Sequence, residues 1–181
     1  KFPPAFKFKP RAVDAKIRLG FLSADLCHHP VAHFIEPIFL EYDRERFEIV
    51  AYGDQRKSDD FSARFATQVD LWRETSSYDD KALAKLIHED RVDILFELAG
   101  HTAYNRLGVF ALKPAPVQVS YLGYPGTTGL PAIDFRITDA FADPQGTTEH
   151  LHTEKLIRVP ECAWCFQPGE STPEVEPLPA L

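Results

Sequence analysis

The sequence has no methionine, not even at position 1, and only three cysteines among 181 residues. A chain without an initiating methionine is expected to be a piece of a longer one. Three cysteines cannot all pair, and Cys27 lies far in sequence from Cys162 and Cys165, so a disulfide framework is disfavoured and a reducing compartment is expected. No apolar run approaches the ~18 residues of a membrane span, and the N-terminus lacks the order of a secretory signal. The expectation is therefore a soluble, cytoplasmic protein without a membrane partner. Positive charge is also short, with 20 Lys and Arg against 27 Asp and Glu for a net charge of −7. Nucleic-acid binding needs clustered cations that displace counterions from phosphates, so no DNA or RNA partner is expected.

The composition is otherwise that of a soluble domain, 44% hydrophobic and 26% charged, in a length that suits one globular unit. Residues 1–15 begin with three prolines in ten positions and read as an incoming linker or strap. Residues 167–181 are proline-rich and acidic and read as an outgoing linker. Between them, over residues 16–166, apolar runs of strand length alternate with amphipathic segments of helix length. Residues 17–23, 47–53, 92–98, 117–122, 135–138 and 155–159 read as strands. Residues 30–42 and 59–67 read as helices, and Asp79 and Asp80 offer a cap to a third that carries Ala82, Leu83, Leu86 and Ile87 on one face. This alternation predicts an α/β fold, Rossmann-like, with a mostly parallel sheet and helices on both faces.

Three unusual loops each follow a predicted strand: residues 24–30, 99–102 and 123–129. In a parallel sheet they converge on the edge where such folds bind ligands. The first carries Asp25, Cys27, His28 and His29, with His33 one helical turn beyond. A helix opening at Pro30 puts His29 at its N-cap, where the dipole favours a neutral imidazole able to contact a sugar hydroxyl or a phosphate, or to act as a base. Packing or solvation of one or more of these histidines is the alternative. His29, His33, Cys27 and His101 also form a conceivable metal set, but no glutamate follows the first His of His29-Pro-Val-Ala-His33, so a zinc hydrolase is unsupported and no metal is expected.

Glu97 closes an apolar strand ahead of Gly100, His101 and Thr102, and a carboxylate there could serve as a base or hold a hydroxyl. An ion pair with a cation such as Arg106 is its alternative. The third loop, Gly123-Tyr124-Pro125-Gly126-Thr127-Thr128-Gly129, combines backbone groups that can approach a ligand closely with two hydroxyls. It matches neither the P-loop nor the dinucleotide fingerprint, so a sugar or a peptide backbone is the better guess. Cys162-Ala-Trp-Cys165 has redox spacing without the strand-to-helix context, which favours buried structural thiols.

The segments at 18–25, His29-Pro30, 93–102, 113–119, 123–129 and 134–139 together resemble the N-terminal half of the catalytic region in the O-GlcNAc transferase and SPINDLY family, glycosyltransferase family 41. The resemblance implies one half of a two-domain GT-B type enzyme, with a C-terminal donor-binding half and upstream tetratricopeptide repeats as its missing partners. It implies transfer of a sugar from a nucleotide to Ser or Thr of acceptor proteins, with inversion and without a cofactor. The resemblance makes His29 and His101 candidate catalytic residues, and Glu97 joins them from its place at the end of its strand. Gly100, Thr102, Gly123, Tyr124, Pro125, Gly126 and Thr127 lie in segments that the resemblance maps to the cleft and, with Asp25 and His33 of the first loop and its helix, are the candidates for substrate or donor binding. The donor expected first is UDP-GlcNAc, with GDP-fucose the alternative that the SPINDLY-like wording brings. An isolated piece of this length is expected to be inactive, and a non-catalytic protein-binding scaffold is the runner-up.

Overall fold

A computed structural model describes residues 6–168 of the chain. Strands and helices alternate as β1 (Ile17–Ser23), α1 (Pro30–Glu41), β2 (Phe47–Gly53), α2 (Asp60–Gln68), β3 (Leu71–Glu74), α3 (Asp80–Glu89), β4 (Ile94–Glu97), α4 (Leu107–Ala111), β5 (Val117–Ser120) and β6 (Phe135–Asp139). A 3-10 turn at Glu149–Leu151 then leads to β7 (Lys155–Val159).

The longer helices begin where side chains satisfy N–H groups that would otherwise lack partners. Pro30 opens α1 at a position where it forfeits no hydrogen bond, and the Val31 N–H donates to His29 Nδ1 at 3.3 Å. Asp59 and Ser62 form a reciprocal capping box on α2, with bonds of 2.9 and 2.8 Å. Asp79 accepts the Ala82 N–H at 2.8 Å on α3.

All seven strands are parallel, in the order β3-β2-β1-β4-β5-β6-β7. The chain winds outward from β1 to β3, returns to the centre at β4, and winds outward the other way. Right-handed crossovers force the helices of the two halves onto opposite faces. Side-chain alternation along the strands then separates two cores. Phe21, Ile49 and Ala51 pack with Ile35 and Phe39 of α1 and Phe65 of α2. Leu22, Val50 and Tyr52 pack with Leu83 and Ile87 of α3 and Val109 and Phe110 of α4. Each large side chain so buried contributes about 1.5–3 kcal/mol. Burial on both faces explains why β1 and β2 read as nearly continuous apolar runs.

The strand read at 92–98 is shorter, because the Ala99 and Gly100 N–H groups turn back onto the Glu97 carboxylate. Three elements have no clear sequence signal. β3 is a four-residue edge strand, α4 is five residues long without a side-chain cap, and the 3-10 turn has three residues.

Residues 6–16 cross the N-terminal edge of the sheet, with the rings of Phe6 and Phe8 at 4.6 and 5.6 Å from that of His88. They line a cavity of about 720 Å³ there, together with Arg18, Glu48 and Asp93. Residues 160–168 run back along the opposite edge. The Ala163 N–H donates to Asp139 Oδ2 at 2.9 Å, the Tyr121 hydroxyl donates to Ala163 O at 2.7 Å, and Trp164 and Phe166 lie 5.5 and 5.3 Å from Phe34 of α1. Most of the linker read at 167–181, and the first third of the strap read at 1–15, lie outside the described residues.

Candidate functional site

The winding direction reverses between β1 and β4, and the C-terminal edge at such a reversal is where doubly wound sheets bind ligands. The register sets Leu22 beside Glu97 and Glu97 beside Ser120. The loops after β1, β4 and β5 therefore emerge side by side.

Two close approaches lock the second loop to the third. A Cβ on Gly100 would stand 2.2 Å from the Cβ of Tyr124, and one on Gly123 would stand 1.8 Å from the Leu98 carbonyl oxygen. Gly100 also adopts φ 56°, which glycine tolerates without strain. The exposed His101 ring lies edge-on to Tyr124, with 5.2 Å between centroids.

His29, at the end of the loop after β1, has 42% of its side chain accessible. Because Nδ1 accepts the Val31 N–H, the neutral ring carries its proton on Nε2, which faces Asp25 Oδ1 at 3.8 Å. In this arrangement His29 offers a hydrogen-bond donor at Nε2 rather than a base. Asp25 is half-buried, and burial pushes its carboxyl above the usual range while His29 opposes the shift.

Glu97 is 2% exposed. Its Oε1 accepts the Ala99 and Gly100 N–H groups at 2.7 Å each, and Oε2 shares the second at 2.7 Å. Burial pushes its carboxyl up to about 7, against the pull of those N–H groups. A carboxylate held this way orients the loop that carries His101, with both oxygens turned onto that loop. The alternative ion pair with Arg106 is absent, since Arg106 faces Asp80 at 3.2 Å and Asp54 at 3.7 Å.

Other candidates are occupied locally. The Thr102 hydroxyl closes a turn onto Ala99 O at 2.8 Å. Thr127 Oγ1 donates to Glu154 Oε2 at 2.7 Å. Pro125 joins Tyr121, Arg136 and Trp164 around a cavity of about 40 Å³, and the Tyr124 ring lies close against Gly126. His33 is turned to α2, its ring 5.3 Å from that of Phe61, and His28 packs on the same ring at 5.2 Å. Among the described residues no group of three or more His, Cys, Asp or Glu side chains could hold a metal ion.

Cys162 and Cys165 are exposed, which corrects the expectation of buried structural thiols. The segment around them lies along the open edge of the sheet, where packing covers Phe34 and leaves the sulfurs outside.

Two residues that hold the third loop escaped the sequence reading. Arg136, on β6 and 5% exposed, donates through Nη1 to Tyr124 O at 2.9 Å and Gly126 O at 3.1 Å. Glu154, just before β7, also accepts the Thr128 N–H at 2.8 Å and the Thr128 hydroxyl. A charge set within the short strand Phe135–Asp139 is a signal that could have pointed to Arg136.

The model of the glycosyl transferase family 41 matches residues 1–167. The chain is 44% identical over 176 residues to a rice (Oryza sativa subsp. japonica) protein named probable UDP-N-acetylglucosamine–peptide N-acetylglucosaminyltransferase SPINDLY, covering 95% of this chain and 19% of that protein. An Arabidopsis thaliana protein of the same name is 42% identical over 172 residues, 93% of this chain and 19% of its own length. A mutant O-GlcNAc transferase of Thermobaculum terrenum superposes with a TM-score of 0.90 at 32% identity, over 97% of this chain and 34% of that one. The chain thus spans about a fifth of the curated relatives it matches. The doubly wound sheet, reversing between β1 and β4, is a Rossmann-like domain of the glycosyltransferase class. This chain belongs to glycosyl transferase family 41.

Proposed function

We propose that the chain is the N-terminal half of the catalytic region of an inverting protein O-glycosyltransferase. In this reading a Ser or Thr hydroxyl of an acceptor protein attacks the anomeric carbon of a sugar nucleotide. The bond from that carbon to the diphosphate oxygen breaks, the nucleoside diphosphate leaves, and the hydroxyl proton passes to a base. GlcNAc from UDP-GlcNAc is the favoured donor, in keeping with the names of the relatives. The reading needs neither metal nor cofactor. It assigns donor contacts largely to a second, C-terminal half, places tetratricopeptide repeats upstream, and sets the enzyme in the cytoplasm. No helix among the described residues is long and apolar enough to cross a membrane.

The observation that carries the proposal is the joining of the loops after β4 and β5 beside the sheet reversal, with Gly100 against Tyr124 and Gly123 against Leu98. His29 there donates from Nε2 to donor or acceptor oxygen, with Asp25 opposite to orient its ring. His101, solvent-facing and braced by Tyr124, is the group free to take a proton. Glu97 holds that loop.

The test is sugar transfer by the full-length protein carrying this chain, with UDP-GlcNAc and GDP-fucose in parallel. Transfer from UDP-GlcNAc is expected, and the isolated chain should transfer neither sugar. His29→Ala loses one cap interaction, about 1 kcal/mol, so the fold survives while turnover falls tenfold or more. Normal turnover in that variant removes His29 from the mechanism, and transfer of fucose alone reassigns the donor. Tight acceptor binding without transfer of either sugar favours the scaffold.

A further inference from the structure

The loop after β5 is held far more firmly than a surface turn requires. Arg136 gathers two carbonyls, those of Tyr124 and Gly126, onto a single nitrogen. Glu154 takes the next two residues, through the Thr127 hydroxyl and both the N–H and the hydroxyl of Thr128. Both charged groups are almost fully buried, at 5% and 4% exposure. They come from β6 and from the approach to β7, not from the loop itself.

Burying a charge costs several kcal/mol even after relaxation, and apolar packing would hold a turn more cheaply. Arg136 Nε also lacks a partner among the described residues. Leu122, ahead of the loop, adopts φ 80°, a left-handed conformation that a bulky side chain takes only when its surroundings impose it, at about 1–3 kcal/mol. Such expense marks a conformation that must be unique. The rigid turn presents the Tyr124 ring, against which His101 rests edge-on and Gly100 is pressed.

We infer that Arg136 and Glu154 form a buried clamp that sets the position of Tyr124 and, through it, of His101. Both are positioning residues, and their effect on catalysis rests on the transferase reading above. Burial pulls the Arg136 guanidinium down, with Asp143, Glu154 and Glu97 opposing; burial likewise works against the Glu154 carboxylate, but its threonine hydrogen bonds outweigh this and keep it low. Glu154 thus helps Asp143 sustain the Arg136 charge, while the Glu154 charge rests on its threonine partners.

Arg136→Lys, Arg136→Met and Glu154→Gln test the clamp. In the chain itself, the nuclear Overhauser contact between the His101 and Tyr124 rings should fall to half or less in Arg136→Met and recover in part in Arg136→Lys. In the full-length protein kcat should drop at least tenfold while KM for the sugar nucleotide moves less than threefold, with partial rescue by lysine. A ring contact unchanged in Arg136→Met overturns the clamp. Should that variant not fold, Glu154→Gln decides by the same two readings. Loss of the ring contact with full turnover retained supports the clamp and instead removes His101 from the catalytic site.

Discussion

Replacing Glu97 with glutamine should change how stability depends on pH more than stability itself. Burial raises the folded-state value of this carboxyl from 4.5 to about 7. A group raised in this way binds its proton more tightly in the folded protein. Its contribution is therefore full below pH 4.5 and fades as pH climbs through 7. Linkage over the interval from pH 5 to pH 8 gives a loss of about 2.5 kcal/mol from this one group. Glutamine cannot ionise, and its carbonyl oxygen can still accept the Ala99 or Gly100 N–H. Urea unfolding of both proteins at pH 5, 6, 7 and 8 isolates the effect, because other titrating groups, Asp25 excepted for its proximity, cancel in the difference. At a slope of about 2 kcal/mol per molar, the midpoint difference between variant and wild type should move by roughly 1 M urea in favour of Glu97→Gln as pH rises. A difference that stays constant across the four values, or moves the other way, refutes the account of Glu97 as a buried carboxyl that resists ionisation.

Gly100→Ala should destabilise the chain by about 2 kcal/mol or more, since its methyl group meets Tyr124 as well as an unfavourable φ. Gly129→Ala, at φ 70° with nothing within 4 Å, should cost only the backbone term of about 1–2 kcal/mol; equal losses in urea titrations would show that the two loops do not touch. A thiol reagent at pH 8 should find two fast cysteines, Cys162 and Cys165, and one slow one. Cys27 is half-buried, with its thiol raised by burial and by the charges of Asp59 and Asp25. Three equal rates would contradict that burial.

Much of the fold was legible because its physics is local. β1, β2 and β7 appear at the bounds expected from their apolar runs, and the starts of α1 and α3 follow from Pro30 and Asp79. β3 was not legible, since a four-residue edge strand is half-exposed and lacks an unbroken apolar pattern. The three candidate loops were visible through their composition. Their partners were not. Asp59, read only as the opening of a helix, also accepts the His28 N–H at 2.7 Å and thereby ties the first loop to α2.

From the sequence alone came the alternation of strands and helices, the glycines and imidazoles at strand ends, and the motifs that place the chain in its family. Those properties depend on neighbours a few residues apart, through hydrophobic period, caps and turn chemistry. Tertiary structure decided which groups are free to act. Glu97 became a loop brace because β1 and β5 enclose β4 on either side, and His29 became a donor because its other nitrogen caps α1. Arg136 and Glu154 acquired a role only once separate strands brought them beneath a loop ten or more residues away in the chain. Burial and hydrogen-bond pairing are properties of packed surroundings, and no single segment carries them.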